Sequence, residues 1–115
     1  MDRKILITGT GIVSSLGNDT FSVAQKLAYG ECGLHHDPAR SEKGYQSDLC
    51  GKINDPNPWK FSKLTRGQRQ CLSEPTLYSL SAVNEALVEA NILPEFLQSH
   101  NVSVIVSNDS TAGDN

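Results

Sequence analysis

The sequence has no long hydrophobic run and no block of charges of one sign. Its 115 residues include 10 Lys and Arg and 13 Asp and Glu, which gives a net charge of −3. A surface of mixed charge gives no indication of a nucleic-acid interface or a polybasic membrane anchor. No apolar run approaches the roughly 20 residues that a transmembrane helix needs, and the first residues do not resemble a signal peptide. We therefore expect a cytoplasmic protein that binds neither nucleic acid nor membrane.

Cysteine is scarce and irregularly placed. The chain has three, Cys32, Cys50 and Cys71, with no Cys-x-x-Cys pair. This spacing argues against a disulfide framework and favours a reducing compartment. Cys32, His35, His36 and Cys50 can be drawn as a zinc site, but their spacing is unlike that of regular zinc motifs. Cys71 precedes a helix cap, where a thiolate can be stabilised, although a small buried apolar role is the simpler expectation.

Apolar residues are also few for a globular chain. They make up 37% of the sequence, whereas soluble domains average roughly 45–50%. A chain of this length forms at most one domain, so we assign residues 1–115 to a single domain with no second one. Its core is small, and we expect the isolated chain to be marginally stable.

The most informative stretch lies at the N-terminus. The run KILIT at residues 4–8 predicts a buried strand, because aliphatic and β-branched residues are bounded by glycine. Gly9 and Gly11 then permit a sharp turn, and Asn18 and Asp19 can cap a following helix. The glycine spacing fits neither the dinucleotide fingerprint nor the Walker loop. A nucleotide-binding βαβ module is therefore the weaker alternative.

Two helices are predicted by apolar periodicity. Residues 20–29 carry apolar side chains on one face, and Gly30 suits a left-handed C-terminal cap. Residues 73–91 predict the second helix, which Asn91 can end in the same way. Within it, alanines recur at four-residue steps and form a smooth ridge that permits close approach of another element: Ala82, Ala86 and Ala90.

The two helices are separated by a long irregular excursion. Residues 31–59 hold most of the Pro, Gly, Asp and Asn of the chain, including Asp37-Pro38, and we expect one short strand near residues 47–53. Beyond the second helix, the run VSVIV at residues 102–106 predicts another buried strand, because both of its alternation phases are apolar.

Four cations recur at three-residue steps after the excursion: Lys60, Lys63, Arg66 and Arg69. On a helical or 3₁₀ segment this spacing places them near one face. Such a face is either simply solvated or a docking patch for an acidic partner.

Taken together, these landmarks resemble a known family. The run ITGTGIVSSLGN at residues 7–18 closely resembles the opening of the β-ketoacyl-acyl carrier protein synthases, the condensing enzymes of fatty-acid and polyketide synthesis. The pattern L-x-x-G-x-x-G-L at residues 27–34 and the run SAVNEALVEANI at residues 81–92 resemble the next two landmarks, in the same order. The run SEPTLY at residues 73–78 is most similar to the bacterial type I synthases.

The resemblance covers essentially all 115 residues, yet only the opening portion of a longer enzyme. It implies an α/β thiolase-like fold and an obligate dimer, of which this chain is an incomplete N-terminal portion ordered as strand, helix, long excursion, helix and strand. It also implies a cysteine nucleophile and two histidines that condense an acyl chain with malonyl-carrier protein. Those three residues lie downstream in the family. We therefore assign no catalytic, cofactor-binding or metal-binding residue here, and we expect no cofactor.

Relatives in this family use basic residues before the alanine-rich helix to dock the carrier protein. Arg66 matches such a position, whereas Gly67 and Gln70 stand where further cations are expected. Lys63 and Arg69 can compensate. The resemblance therefore implies a carrier-protein docking site made of Lys63, Arg66 and Arg69.

Two functions remain open on these grounds. The chain is either the N-terminal segment of a synthase, not catalytically competent alone, or a non-catalytic companion subunit of the chain-length-factor kind that stabilises an active synthase. The stretch after Val106 favours the companion, because it has one glycine and adds Asp109 where the family generally has a glycine-rich turn. The expected partners are acyl carrier protein and either a full-length ketosynthase or the missing remainder of the chain's own fold.

Overall fold

The computed structural model describes residues 2–54 and 64–109. Within these residues, helices alternate with a small antiparallel sheet, which agrees with the predicted α/β class. The helices are α1 (Thr20–Ala28), α2 (Pro38–Glu42), α3 (Arg66–Gln70), α4 (Glu74–Glu89) and α5 (Pro94–Ser99), and the strands are β1 (Leu34–His36) and β2 (Leu49–Gly51). None of these helices is both long enough and apolar enough to cross a membrane.

Helix α1 confirms the prediction for residues 20–29. It begins at Asp19, whose carboxylate accepts a hydrogen bond from the backbone N–H of Ser22 at 2.7 Å. Such a cap satisfies a donor that the first helical turn leaves free. The helix gives way to Gly30 with φ of 70°, a left-handed conformation that glycine adopts without strain. Its Val23, 6% exposed, is the one buried apolar residue in the part of the chain that the structure describes.

Helix α4 is the longest element and confirms the second helix prediction. Pro75 lies in its first turn, where a missing N–H costs nothing. Asn91 follows its end with φ of 54°, as predicted from the tolerance of asparagine for the left-handed region. The helix therefore runs unbroken past Ala82 and Ala86, and its C-cap is Ala90, the last residue of the alanine ridge.

The excursion contains more regular structure than its composition predicts. The short strand expected near residues 47–53 is confirmed as β2, which pairs with β1 in the register His35 to Cys50. Strand β1 and helix α2 between the two strands were not predicted. Asp37-Pro38 begins this helix instead of preventing one, because Asp37 is the N-cap and accepts the N–H of Ala39 at 3.1 Å.

The β1–β2 hairpin lies close to the loop that precedes α1. A Cβ atom placed on Gly51 would lie 3.2 Å from Ser15 Oγ, and one placed on Gly33 would lie 3.2 Å from the backbone nitrogen of Leu16. Because these two glycines have no side chain, the hairpin can approach the N-terminal loop closely.

The two predicted buried strands are not formed. Residues 4–8 and 102–106 belong to no sheet, and their apolar side chains are exposed, with Ile5 at 95% and Ile105 at 94%. A strand needs a neighbour for its N–H and C=O groups and a layer to cover its side chains. Among the described residues the only sheet is the β1–β2 hairpin, and neither segment joins it. The apolar pattern identified two segments suited to burial, but nothing in this part of the chain covers them.

Candidate functional site

The best-defined tertiary contact joins the N-terminal stretch to α4. We call residues 9–12 the opening segment. A Cβ atom placed on Gly9 would overlap the carbonyl oxygen of Ala86 and lie 3.0 Å from the Cβ of Ala90. A Cβ atom on Gly11 would overlap the carbonyl oxygen of Ala82. The predicted close approach to the alanine ridge is therefore confirmed, and the opening segment is the element that approaches it.

The two glycines are needed for a different reason from the one predicted. Neither Gly9 nor Gly11 has a positive φ, in contrast to Gly30 and Gly44. A sharp turn off a buried strand is therefore the wrong explanation. The physical requirement is the absence of a side chain where the backbone of the opening segment meets the backbone of α4.

Two carboxylates of α4 bind the same segment. Glu89 Oε2 accepts hydrogen bonds from the backbone N–H of Thr10 at 2.6 Å and from its hydroxyl at 2.9 Å. Glu85 Oε2 accepts the N–H of Ile12 at 3.0 Å. The other oxygen of Glu85 accepts both the N–H and the hydroxyl of Thr20, each at 2.7 Å. Glu85 thus connects three elements: α4, the opening segment and the first residue of α1.

The spacing of these contacts defines the geometry. Thr10 meets Glu89 and Ile12 meets Glu85, so the segment runs antiparallel to α4. Two residues of the segment advance past four residues of the helix, which is about 6 Å of helix axis. Only a nearly extended chain covers this distance in two residues. The periods of the two elements therefore match over the length of the contact.

The electrostatics of Glu85 favour its ionised form. Partial burial disfavours the charge, and so does the neighbouring carboxylate of Asp19. The hydrogen bonds from Thr20 and Ile12 outweigh both effects, so the pKa of Glu85 is lowered from its ordinary value. Glu85 is accordingly a charged anchor at neutral pH.

Neither Glu85 nor Glu89 was singled out from the sequence, although a signal was present. Glu89 is the last residue of α4, where the negative end of the helix dipole disfavours an acidic side chain, and Glu85 lies one turn earlier. Two acids four residues apart at such a position, beside an alanine ridge, indicate hydrogen-bond donors supplied by another segment.

An open groove lies beyond this contact. It has a volume of about 290 Å³ and is lined by Gly11, Ile12, Val13, Tyr78, Ser79 and Ala82. The groove is a continuation of the surface between the opening segment and α4, and its lining contains no acid, base or thiol.

The candidate docking residues are placed in part. Lys63 lies outside the described residues. Arg66 and Arg69 lie three residues apart on α3, which confirms the helical expectation for that part of the cationic run. A capping box between Thr65 and Gln68 starts this helix. Arg66 is exposed and Arg69 is half-buried.

The cysteine and histidine hypotheses find no support. Cys32, His35, His36 and Cys50 are all described, and across the described ranges no three His, Cys, Asp or Glu side chains are grouped to hold a metal ion. Instead His36 Nδ1 pairs with Asp48 at 3.0 Å, and this hydrogen bond lowers the pKa of the Asp48 carboxyl.

Cys71 was expected to be buried, and this prediction is wrong. The side chain is exposed. The residue is the C-cap of α3 and lies two residues before Ser73, the N-cap of α4.

Comparison with known proteins supplies the family. The sequence model of the β-ketoacyl synthase N-terminal domain matches residues 2–115. The 3-oxoacyl-[acyl-carrier-protein] synthase 1 of Buchnera aphidicola subsp. Schizaphis graminum is 30% identical over 90 residues, which are 78% of this chain and 22% of the relative. The enzyme of the same name from Escherichia coli K12 is 27% identical over 99 residues, 85% of this chain and 23% of the relative.

A third relative of the same name, from Haemophilus influenzae, is 25% identical over 104 residues, 90% of this chain and 25% of the relative. The chain thus spans about a quarter of the length of the curated relatives that it matches. Because the match to the model of the family's N-terminal domain extends over residues 2–115, this chain belongs to the β-ketoacyl synthase family.

Proposed function

We propose that this chain supplies the N-terminal segment of a β-ketoacyl-acyl carrier protein synthase, whose complete form condenses an acyl group with malonyl-carrier protein. The observation that carries the proposal is the family match over residues 2–115, together with relatives that are all named 3-oxoacyl-[acyl-carrier-protein] synthase 1. The chain itself contributes scaffold. The nucleophilic cysteine and the two histidines of the family belong to sequence downstream of the matched region.

The exposed apolar segments support a role as part of a larger fold. Ile5, Ile7, Val104, Ile105 and Val106 are each at least 80% exposed. Burying one such side chain contributes roughly 1.5–3 kcal/mol. In a thiolase-like fold, residues 4–8 and 102–106 would be strands of a sheet that helices cover. The chain would then have the predicted order of strand, helix, excursion, helix and strand. A dimeric, cytoplasmic assembly is part of the same proposal.

Docking of the carrier protein is proposed for α3. Arg66 is exposed in the first turn of this helix, and Arg69 follows one turn later. With Lys63 they would form a positive patch that complements an acidic carrier protein. A charge reversal, Arg66→Glu, is expected to weaken carrier binding and make it less sensitive to salt. The matched control is Lys52→Glu, an exposed cation outside α3.

The most direct test is the reading frame beyond the Asn115 codon. A frame that continues through a cysteine, followed by two histidines, supports the synthase. A stop codon immediately after Asn115 contradicts condensation by this polypeptide.

A functional test replaces the matched N-terminal region of the E. coli relative by this chain. Condensation of acyl-carrier and malonyl-carrier protein is then measured, with the parent enzyme as the positive control. Product formation by the chimaera supports the proposal. A soluble chimaera with the parent's oligomeric state and no product contradicts it. Stable association of the unaltered chain with an intact synthase would instead favour the companion-subunit function.

A further inference from the structure

We infer that Glu85 and Glu89 act as a register clasp, which holds the opening segment in one alignment along α4 and fastens it to the start of α1. Two independent features of the contact lead to this inference. One is steric and excludes the wrong alignments. The other is electrostatic and attracts the segment into the alignment that remains.

The steric feature follows from the glycine sites. A slip of one residue would move Thr10 and Ile12 into the places of Gly9 and Gly11, where a Cβ overlaps a carbonyl oxygen of α4. A slip of two residues would bring Val13 into the place of Gly11, with the same overlap. Side-chain atoms cannot occupy those positions unless the backbones separate. The observed alignment is therefore the one that allows close contact.

The electrostatic feature is the pair of carboxylates. Glu89 binds the N–H of Thr10, and Glu85 binds the N–H of Ile12 one helical turn away. Hydrogen bonds to an ionised acceptor are roughly twice as strong as neutral ones, so those to Glu89 oppose its unfavourable position at the end of α4. Because the acids are four residues apart and their donors are two apart, one extended segment can make both bonds at once, and the glycine contacts select this alignment among those with the same spacing.

Glu85 extends the clasp to a third element and makes it sensitive to acid. Its second oxygen binds the N–H and hydroxyl of Thr20 at the start of α1. Within residues 2–54 and 64–109, the charged groups next to it are Asp19 at the N-cap of α1 and Glu89 one turn along α4, and residues 9–18 carry no charged side chain. Protonation of Glu85 removes the negative charge that strengthens its hydrogen bonds to Ile12 and Thr20. Acid therefore weakens the contact at Glu85.

The clasp is tested by amide hydrogen exchange of the 115-residue chain, or of the complex in which it purifies. Glu85→Gln removes the charge, keeps one acceptor oxygen and replaces the other by an NH2 group that cannot accept a hydrogen bond. It is expected to lower the protection of the Ile12 and Thr20 amides about tenfold relative to Val23, without an equal loss at Thr10. Glu89→Gln should do the reverse, lowering protection at Thr10 and sparing Thr20. The matched control is Glu95→Gln, on α5, which should change none of them.

Equal loss of protection at Thr10, Ile12, Thr20 and Val23 would mean general destabilisation and would overturn the clasp, as would no loss at all. If a variant fails to fold, the inference can still be tested on the unaltered chain. Its Ile12 and Thr20 amide proton shifts should titrate together with the Glu85 carboxyl in an NMR pH series. Titration of these two amides at unrelated midpoints would also overturn the inference.

Discussion

Two adjacent parts of the N-terminal stretch behave in opposite ways. Residues 5–7 are strongly apolar, yet Ile5 and Ile7 are 95% and 88% exposed. The next residues, Gly9 to Ile12, contain little apolar surface, but their backbone packs closely on the backbone of α4 and donates hydrogen bonds to two of its carboxylates. Whether a segment of this chain is packed or exposed therefore depends on whether another segment of the chain fits against it. Hydrophobicity identifies the segments that require cover, and local complementarity decides which of them the chain itself holds.

The largest effect on stability is expected from disrupting the contact between the opening segment and α4. In Gly11→Ala the new Cβ would overlap the Ala82 carbonyl oxygen, so the opening segment must move away from α4. We expect a loss of about 3 kcal/mol in the free energy of unfolding, measured by denaturant titration. The matched control is Gly67→Ala, because nothing lies within 4 Å of that site. Helix propensity predicts that this control is neutral or stabilising by up to about 1 kcal/mol. Equal effects at the two sites would contradict the joint.

An intermediate effect is expected from pH. The pKa of Glu85 is lowered from its ordinary value of 4.5 by folding. Its stabilising contribution is therefore complete above that ordinary value and is lost as pH falls through the lower folded value. The measurement is the difference in unfolding free energy between the unaltered chain and Glu85→Gln across this range. The difference should shrink with acid, and a difference that is constant with pH would contradict a charged anchor.

The smallest effect is expected in the exposed part. Ile105 is 94% exposed, so Ile105→Ser should change the unfolding free energy of the isolated chain by no more than about 0.5 kcal/mol. In a complete synthase that buries residues 102–106, the same change should cost roughly 2 kcal/mol or more. Thermal denaturation of both forms provides the comparison. A large loss in the isolated chain would mean that Ile105 is already covered there.

Local signals predicted much of what is seen. The caps at Asp19, Gly30 and Asn91 and the two long helices depend on neighbouring residues, so sequence reasoning could reach them. The alanine ridge predicted a close approach but not its partner, because a ridge of small side chains does not specify what packs on it. The hydrogen bonds of Glu85 and Glu89 span 65 to 79 residues of sequence, a separation that no local pattern encodes.

The misses have the same origin. Apolar runs at residues 4–8 and 102–106 predicted buried strands, but burial requires neighbours that the described residues do not provide. Helix α2 was missed because Asp37-Pro38 was interpreted as a break, although an N-cap acid followed by proline is equally a helix start. The docking site of Lys63, Arg66 and Arg69 stays a prediction.

The period match between the opening segment and α4 also limits how the sequence can change in length. One residue inserted between Ala82 and Ala90 would rotate the rest of the helix by about 100°. Ala90 and Glu89 would then face away from Gly9 and Thr10, while Ala82 still faced Gly11. Related sequences that keep this contact should consequently have no insertions or deletions in this stretch of α4 or in residues 9–12. The connection between β1 and β2 can vary more in length, because it is a surface loop whose two ends are fixed by strand pairing.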